Sequence, residues 1–425
     1  MIESRIKSVV KIIFLICLII ACIPFINDFI QSDEEPFDDR TIELFDSSIS
    51  GYKQGQLSWK IYTENIWSKK SRYLFYSDSI ISGIIYNDDG NVVIDSIKAK
   101  DLKINTRSNS ITVSNGLTAR VFTSNNSNEK GLHASETKKN QIKIKSKELR
   151  FFNESKRTYL SEDIELVKDD TTIKPLGEIE IDTNLNIVYI NNGFSIKSPE
   201  YKVSGNMMRI YIDEEQSYLK GDIVFEKFPS TNMKDQLDEQ EQHFRQKSTF
   251  LYCDSALYKD IEDMDILEVS GNVVIIQEGK KITAKEGLYN ETTNSFILEE
   301  NVVVNLHDLR WILDKNKKSE LKNKDIKNSL NLKTRISGNK LQFNGNKKET
   351  KIFGKVVVTQ SDKTIWADKL ILYDETALVE CFGNVKVLKE NKDSINSEYL
   401  KIDLNTESFI AKDGVRSEYY LKKEN

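Results

Sequence analysis

Ile365-Trp366-Ala367-Asp368-Lys369-Leu370-Ile371-Leu372-Tyr373, then Asp374-Glu375-Thr376-Ala377, then Leu378 to Val387 around Gly383-Asn384-Val385, is the stretch that decides the fold. It is an alternating run, a polar turn and a second alternating run, which is the signature of a β-hairpin. Ile395 to Leu404, Asn405-Thr406-Glu407-Ser408 and Phe409 to Ser417, around Asp413-Gly414-Val415, repeat the unit. A lone hairpin cannot bury its apolar face, so the unit has meaning only when stacked.

The stacking partners lie upstream. A small residue in the first strand is followed 16 residues later by Gly or an equivalent: Gly177 and Gly193, Gly205 and Gly221, Ala284 and Glu300, Gly338 and Gly354, Ala367 and Gly383. Looser copies sit at Ala99 to Gly116, Ser146 to Glu162 and Asp254 to Gly271. Copies begin roughly 28–31 residues apart where no insert intervenes, the mark of a repeat array. Short polar tips such as Asn290 to Asn294 and Gly345 to Glu349 suit chain reversal, so antiparallel hairpins are favoured over a parallel β-helix.

Three polar inserts interrupt the array: Ser124 to Asn140, Glu226 to Thr249 and Asp308 to Arg335. The second is the candidate boundary between two sub-arrays. The third holds nine Lys/Arg against four Asp/Glu. It reads as a solvated loop, or as a loop that meets anionic headgroups or phosphate.

At the N-terminus Arg5, Lys7 and Lys11 precede Ile12 to Ile26, an uncharged run of 15 residues that Val9, Val10, Phe29 and Ile30 extend. Positive residues on its N-terminal side place the N-terminus in the cytoplasm and the remainder outside it. We read residues 1–30 as a retained single-pass transmembrane helix. The alternatives are a lipoprotein anchored at Cys22, in Ile19-Ile20-Ala21-Cys22, and a cleaved signal. Residues 31–49 read as an acidic linker.

With 61 Lys+Arg against 66 Asp+Glu and a net charge of −5, the chain gives no reason to expect nucleic acid as a partner. Of four cysteines, Cys17 and Cys22 lie in the apolar segment. Cys253 and Cys381 are more than four repeats apart and are expected to be unbridged. The three histidines, His133, His243 and His307, lie in or beside inserts, and no HExxH, CxxC or phosphate-loop motif occurs. No catalytic residue, metal ligand or cofactor is expected, and the chain reads as a binder and not an enzyme.

Alternation directs Trp59 and Ile61, Leu102 with Ile104, Val113, Phe151, Ile181, Ile210 with Ile212, Val273, Phe343 and Leu372 to one side. They form either a filled core or the lining of a groove between two sheets. Leu400, Ile402 and Leu404 alternate near the C-terminal end of the array, where an unpaired edge invites strand addition.

Gly55-Gln56-Leu57-Ser58-Trp59-Lys60-Ile61, the hairpin Ala99 to Val121, Ile282-Thr283-Ala284-Lys285-Glu286-Gly287-Leu288-Tyr289 with Glu300-Asn301-Val302, and Trp366-Ala367-Asp368 with Phe382-Gly383-Asn384-Val385 carry a family resemblance. With the N-terminal anchor, they make the chain similar to the OstA-like periplasmic lipopolysaccharide-export family of LptC and LptA. The resemblance implies an all-β fold: an elongated, twisted antiparallel β-jelly roll of stacked hairpins. It implies an LptC-like roll over 50–230, a connecting insert over 231–249 and an LptA/OstA-like roll over 250–425. It also implies an interior that takes lipid A acyl chains, so that the groove residues named above would line a lipopolysaccharide path. The expected partners are lipopolysaccharide, an inner-membrane ABC transporter and another jelly roll joined edge to edge. The expected place is the inner membrane, with the bulk of the chain periplasmic. A structural or adhesive β-repeat protein without lipid transfer is the alternative.

Overall fold

A computed structural model describes residues 40–70, 72–122, 141–229, 247–261, 264–307, 332–361, 363–373, 376–404, 406 and 408–419. The expected anchor and most of the three inserts lie outside these residues. Among the described residues no helix is long and apolar enough to cross a membrane.

Every described strand pairing is antiparallel, and the ladders join all the strands into one continuous sheet. Antiparallel pairing leaves the β-helix reading without support. Strand Gln216–Lys227 pairs with Thr249–Ile261, so the sheet runs unbroken across the second insert.

The sheet is folded lengthwise along a row of corners. In the middle of each long strand the register slips: between Ser114 and Leu117, Lys220 and Ile223, Ser270 and Val273, Glu299 and Val302, Phe353 and Val356, and Phe382 and Val385. The two residues in each gap both take left-handed backbone, as in Gly383 (φ 75°) and Asn384 (φ 47°). Two left-handed residues in succession make a bulge that bends the strand and re-aims its far half. This explains the recurring Gly-Asn-Val: Gly and Asn tolerate the left-handed region, and the valine that follows points into the bend. Val273, Val302, Val356 and Val385 are each only 1% exposed.

Side-chain pairs latch several of these corners from outside. Asn272 donates to Asp254 at 2.9 Å and Asn384 to Asp368 at 2.9 Å. Asn206 donates to Asp222 at 3.1 Å, and Lys285 to Glu300 at 2.8 Å. A Cβ on Gly383 would lie 2.4 Å from Asp368 Oδ2, in a backbone region that β-branched residues avoid. Gly383→Val is therefore expected to destabilise its repeats by about 2–3 kcal/mol. Urea denaturation followed by regional hydrogen exchange checks this, and an unchanged midpoint would contradict it.

The bend divides the sheet into two facing walls. In the first half some strands break outright at the corner, so that one wall takes Arg157–Ser161, Ile179–Asp182, Ile187–Ile190 and Met207–Tyr211. The other wall takes Glu165–Lys168, Thr171–Pro175, Phe194–Lys197 and Tyr201–Gly205. Inward residues of both walls form one apolar cluster that runs from Trp59 to Leu400.

Candidate groove and its closed end

The two halves of this interior differ. Up to Lys227, buried apolar residues of the cluster outnumber partly buried ones by 33 to 7; after Thr249 the margin narrows to 18 against 13. The partly buried ones occupy a regular place. In the second half the corner valines and the adjoining Leu298, Leu341, Ile352, Leu370 and Leu400 are buried. Farther from the corner burial is uneven: Ile275, Ile282, Val358 and Val387 on one wall stay partly exposed between Val304, Ile336 and Ile365 of the same row, which are buried, and Phe296, Phe343, Leu372 and Val379 on the other wall are partly exposed. This second half is thus an apolar trough, filled at the bottom and covered only in part towards the mouth. Phe296 and Phe343 face each other across neighbouring strands with ring centroids 5.1 Å apart.

In the first half a polar seam closes the mouth. The strand ends of one wall, at Tyr52, Tyr86 to Asp88 and Phe122, meet the turns of the other at Asn153 to Lys156 and Thr183 to Asn186. Asn153 donates to Tyr52 O at 3.3 Å, Asn186 to Phe122 O at 3.3 Å, and Asn184 to Asp88 Oδ2 at 2.8 Å. Lys156 is central. Its ammonium donates to Tyr86 O at 3.0 Å and to Ser58 Oγ, and lies 3.5 Å from Asp88. Ser58 in turn donates to Asn153. Lys156 is 1% exposed, and burial pushes its pKa below the ordinary lysine value against the opposing pull of Asp88. Burial also works against the Asp88 carboxylate, but Asn184, Lys53 and Lys156 together hold its pKa below the usual value. After Thr249 the tips bond along each wall, Asn346 to Thr293 O on one and Gln360 to Thr334 Oγ1 on the other.

The residues expected to line a groove divide accordingly. Trp59, Ile61, Leu102, Ile104, Val113, Phe151, Ile181, Ile210 and Ile212 are buried in the sealed first half, and Val273 lies at a corner of the second. Phe343 and Leu372 line the open trough. Ile275, Ile282, Phe296, Val358, Val379 and Val387 complete its lining, and alternation was the available signal for them.

Leu400, Ile402 and Leu404 are not on the outermost strand. Leu400 and Ile402 pair with Ala411 and Phe409, because Ser408–Lys412 and Arg416–Glu418 add one more layer to Ser394–Asp403. The chain reverses between Asp403 and Ser408, which pair with each other. The outermost described strands are therefore Ile42–Lys53 at one end and Ser408–Lys412 with Arg416–Glu418 at the other. Both carry exposed apolar side chains, including Leu44, Phe45, Phe409 and Ile410.

Cys253 and Cys381 are free and buried. Burial pushes both thiols up to about 12. Among the described residues no three His, Cys, Asp or Glu side chains gather as a metal site.

Residues 335–424 match the family model LptA/(LptD N-terminal domain) LPS transport protein. The match covers the last repeats, about a fifth of the chain, and associates them with lipopolysaccharide transport. It pairs LptA with the N-terminal domain of LptD and does not name LptC, whose likeness rests on the N-terminal segment, Gly55 to Ile61 and Ala99 to Val121. Among solved structures, the chain is similar to LptH, described as the LptA homologous periplasmic component of the lipopolysaccharide transport device of Pseudomonas aeruginosa. The identity is 11% and the TM-score 0.26, over 33% of this chain and 95% of that one. No curated protein matches the chain.

Proposed function

We propose that this chain binds lipopolysaccharide by its acyl chains in the open trough of its second half and passes it along the envelope. The observation that carries the reading is the set of inward apolar residues beyond the corner that stay partly exposed. Residues such as Phe343, Leu372 and Val358 face inward, are apolar, and yet keep surface free. A fully buried apolar side chain contributes about 1.5–3 kcal/mol, so a continuous lining that forgoes part of this suits a guest that supplies the missing contacts. The family match to residues 335–424 supports the same reading.

In this reading residues 1–30 anchor the chain in the inner membrane and the rolls stand in the periplasm. The strand Ile42–Lys53 faces an inner-membrane ABC transporter. The strands Ser408–Lys412 and Arg416–Glu418 pair with another jelly roll farther out. The chain acts as a carrier, without catalysis. Depletion of the protein in cells is expected to cause lipopolysaccharide to accumulate at the inner membrane; an unchanged distribution would favour a spacer role. Ile410→Pro removes a backbone donor from the outer strand. It is expected to abolish co-purification of the jelly-roll partner, and undiminished recovery would refute edge pairing there.

A further inference from the structure

At the mouth of the trough the ends of three strands enclose a cavity of about 250 Å³, lined by Lys281, Asn305, Leu306, His307, Lys333, Thr334 and Arg335. Lys281 and Arg335 flank Asn305 in one cross-strand row. With strands about 4.8 Å apart, their Cα atoms are about 10 Å from each other, within reach of one small anion for two such long side chains. Lys333 precedes Arg335 by two residues and so shares its face of the strand. All three are exposed, and none has a carboxylate within ion-pair distance among the described residues. No carboxylate among the described residues lines the cavity either. Other tips of the same wall carry acids, such as Glu278, paired with Lys247, and Glu390 with Asp393.

The cavity has a second side. Leu306 and Thr334, on the same strands, are buried and face the interior. Lys281, Asn305 and Arg335 leave the opposite face, so the cations stand at the outer lip of the wall whose inner face lines the trough. Three neighbouring like charges repel one another, and an anion relieves that repulsion. The guanidinium fork fits two phosphate oxygens at once, while the ammonium groups act as point charges.

We infer that Lys281, Lys333 and Arg335 form a phosphate site that holds a phosphomonoester on the headgroup of the amphiphile whose chains lie in the trough. This rests on the trough being a lipid site. The test uses the full chain, with binding followed by isothermal calorimetry. The probes are a bis-phosphorylated acylated glucosamine disaccharide, the same lipid after phosphatase treatment, and inorganic phosphate. The phosphorylated lipid is expected to bind at least about tenfold tighter than the dephosphorylated one. Lys281→Gln, Lys333→Gln and Arg335→Gln combined should erase that preference and leave the dephosphorylated lipid's affinity unchanged. The charge-keeping set Lys281→Arg, Lys333→Arg and Arg335→Lys should retain most of it. Equal binding of the two lipids, or a preference that survives the glutamine set, overturns the site. Inorganic phosphate binding as tightly as the phosphorylated lipid overturns the headgroup assignment. Failure of both lipids to bind removes the trough reading, and this site with it.

Discussion

Phe151→Ala is expected to destabilise the first half of the array by about 3–5 kcal/mol, and Phe343→Ala the second half by only about 1–2 kcal/mol. The two phenylalanines occupy equivalent positions on inward rows of the same wall, but their surroundings differ. Phe151 is 0% exposed, opposite Ile111 on one neighbouring strand and Thr158 on the other, beneath the closed seam. Truncation there leaves a void that a sealed core cannot refill. Phe343 is partly exposed and packs at a tilt against Phe296, so its removal deepens a space already open to solvent. A repeat array does not unfold as one unit, so the measurement is regional hydrogen exchange under increasing urea, not a single midpoint. Equal losses at the two sites would mean that the halves are packed alike, and the distinction between core and trough would fall.

Lys156→Met is expected to loosen the seam by about 1–3 kcal/mol, because it leaves Tyr86 O and Ser58 Oγ without their donor. The loss is tempered, since the methionine no longer requires an ammonium to be held out of water. Exchange should rise at Asn87 to Asn91 and Thr183 to Asn186 and stay unchanged over Glu349 to Lys389. The pH dependence has a definite sign. Burial lowers the folded-state pKa of Lys156 below 10.5. Between that lowered value and 10.5 the unfolded chain binds more protons at this site, so stability rises with pH across the window. Below the lowered value the cost of burying the charge is full and constant. The methionine variant should lack this rise, so parallel wild-type and variant curves would count against the burial of a charged Lys156.

The repeat was legible because its two signals are local. Alternation marks the walls, and Gly383-Asn384-Val385 with its relatives recurs because every strand must turn the same corner. What those residues do is less visible: a Gly-Asn pair inside a strand reads as a turn until the ladders show the pairing resuming beyond it. The seam was not legible at all. Asn153, Lys156, Asn184 and Asn186 have the composition of ordinary turns, and their partners lie far off in sequence, as Ser58 does from Lys156 and Asp88 from Asn184. Nor does alternation separate a filled core from an open trough. Ile181 and Leu372 sit in the same kind of pattern, and only the presence or absence of a facing tip decides how much of each is covered. The outer edge lies one strand beyond Leu400, Ile402 and Leu404, on the second run of the same hairpin, Phe409 to Ser417, because the short, exposed Ser408–Lys412 and Arg416–Glu418 still pair with Ser394–Asp403.

The central claim is that lipopolysaccharide lies in the trough of the second half. Photo-reactive residues placed singly at Phe343, Leu372 and Val358, with Phe151, Lys103 and Lys401 as controls, test it in cells. Crosslinked lipopolysaccharide is expected at the three trough positions and at neither sealed Phe151 nor the two lysines. Lipid captured only at Lys103 and Lys401, or at no trough position, would contradict it.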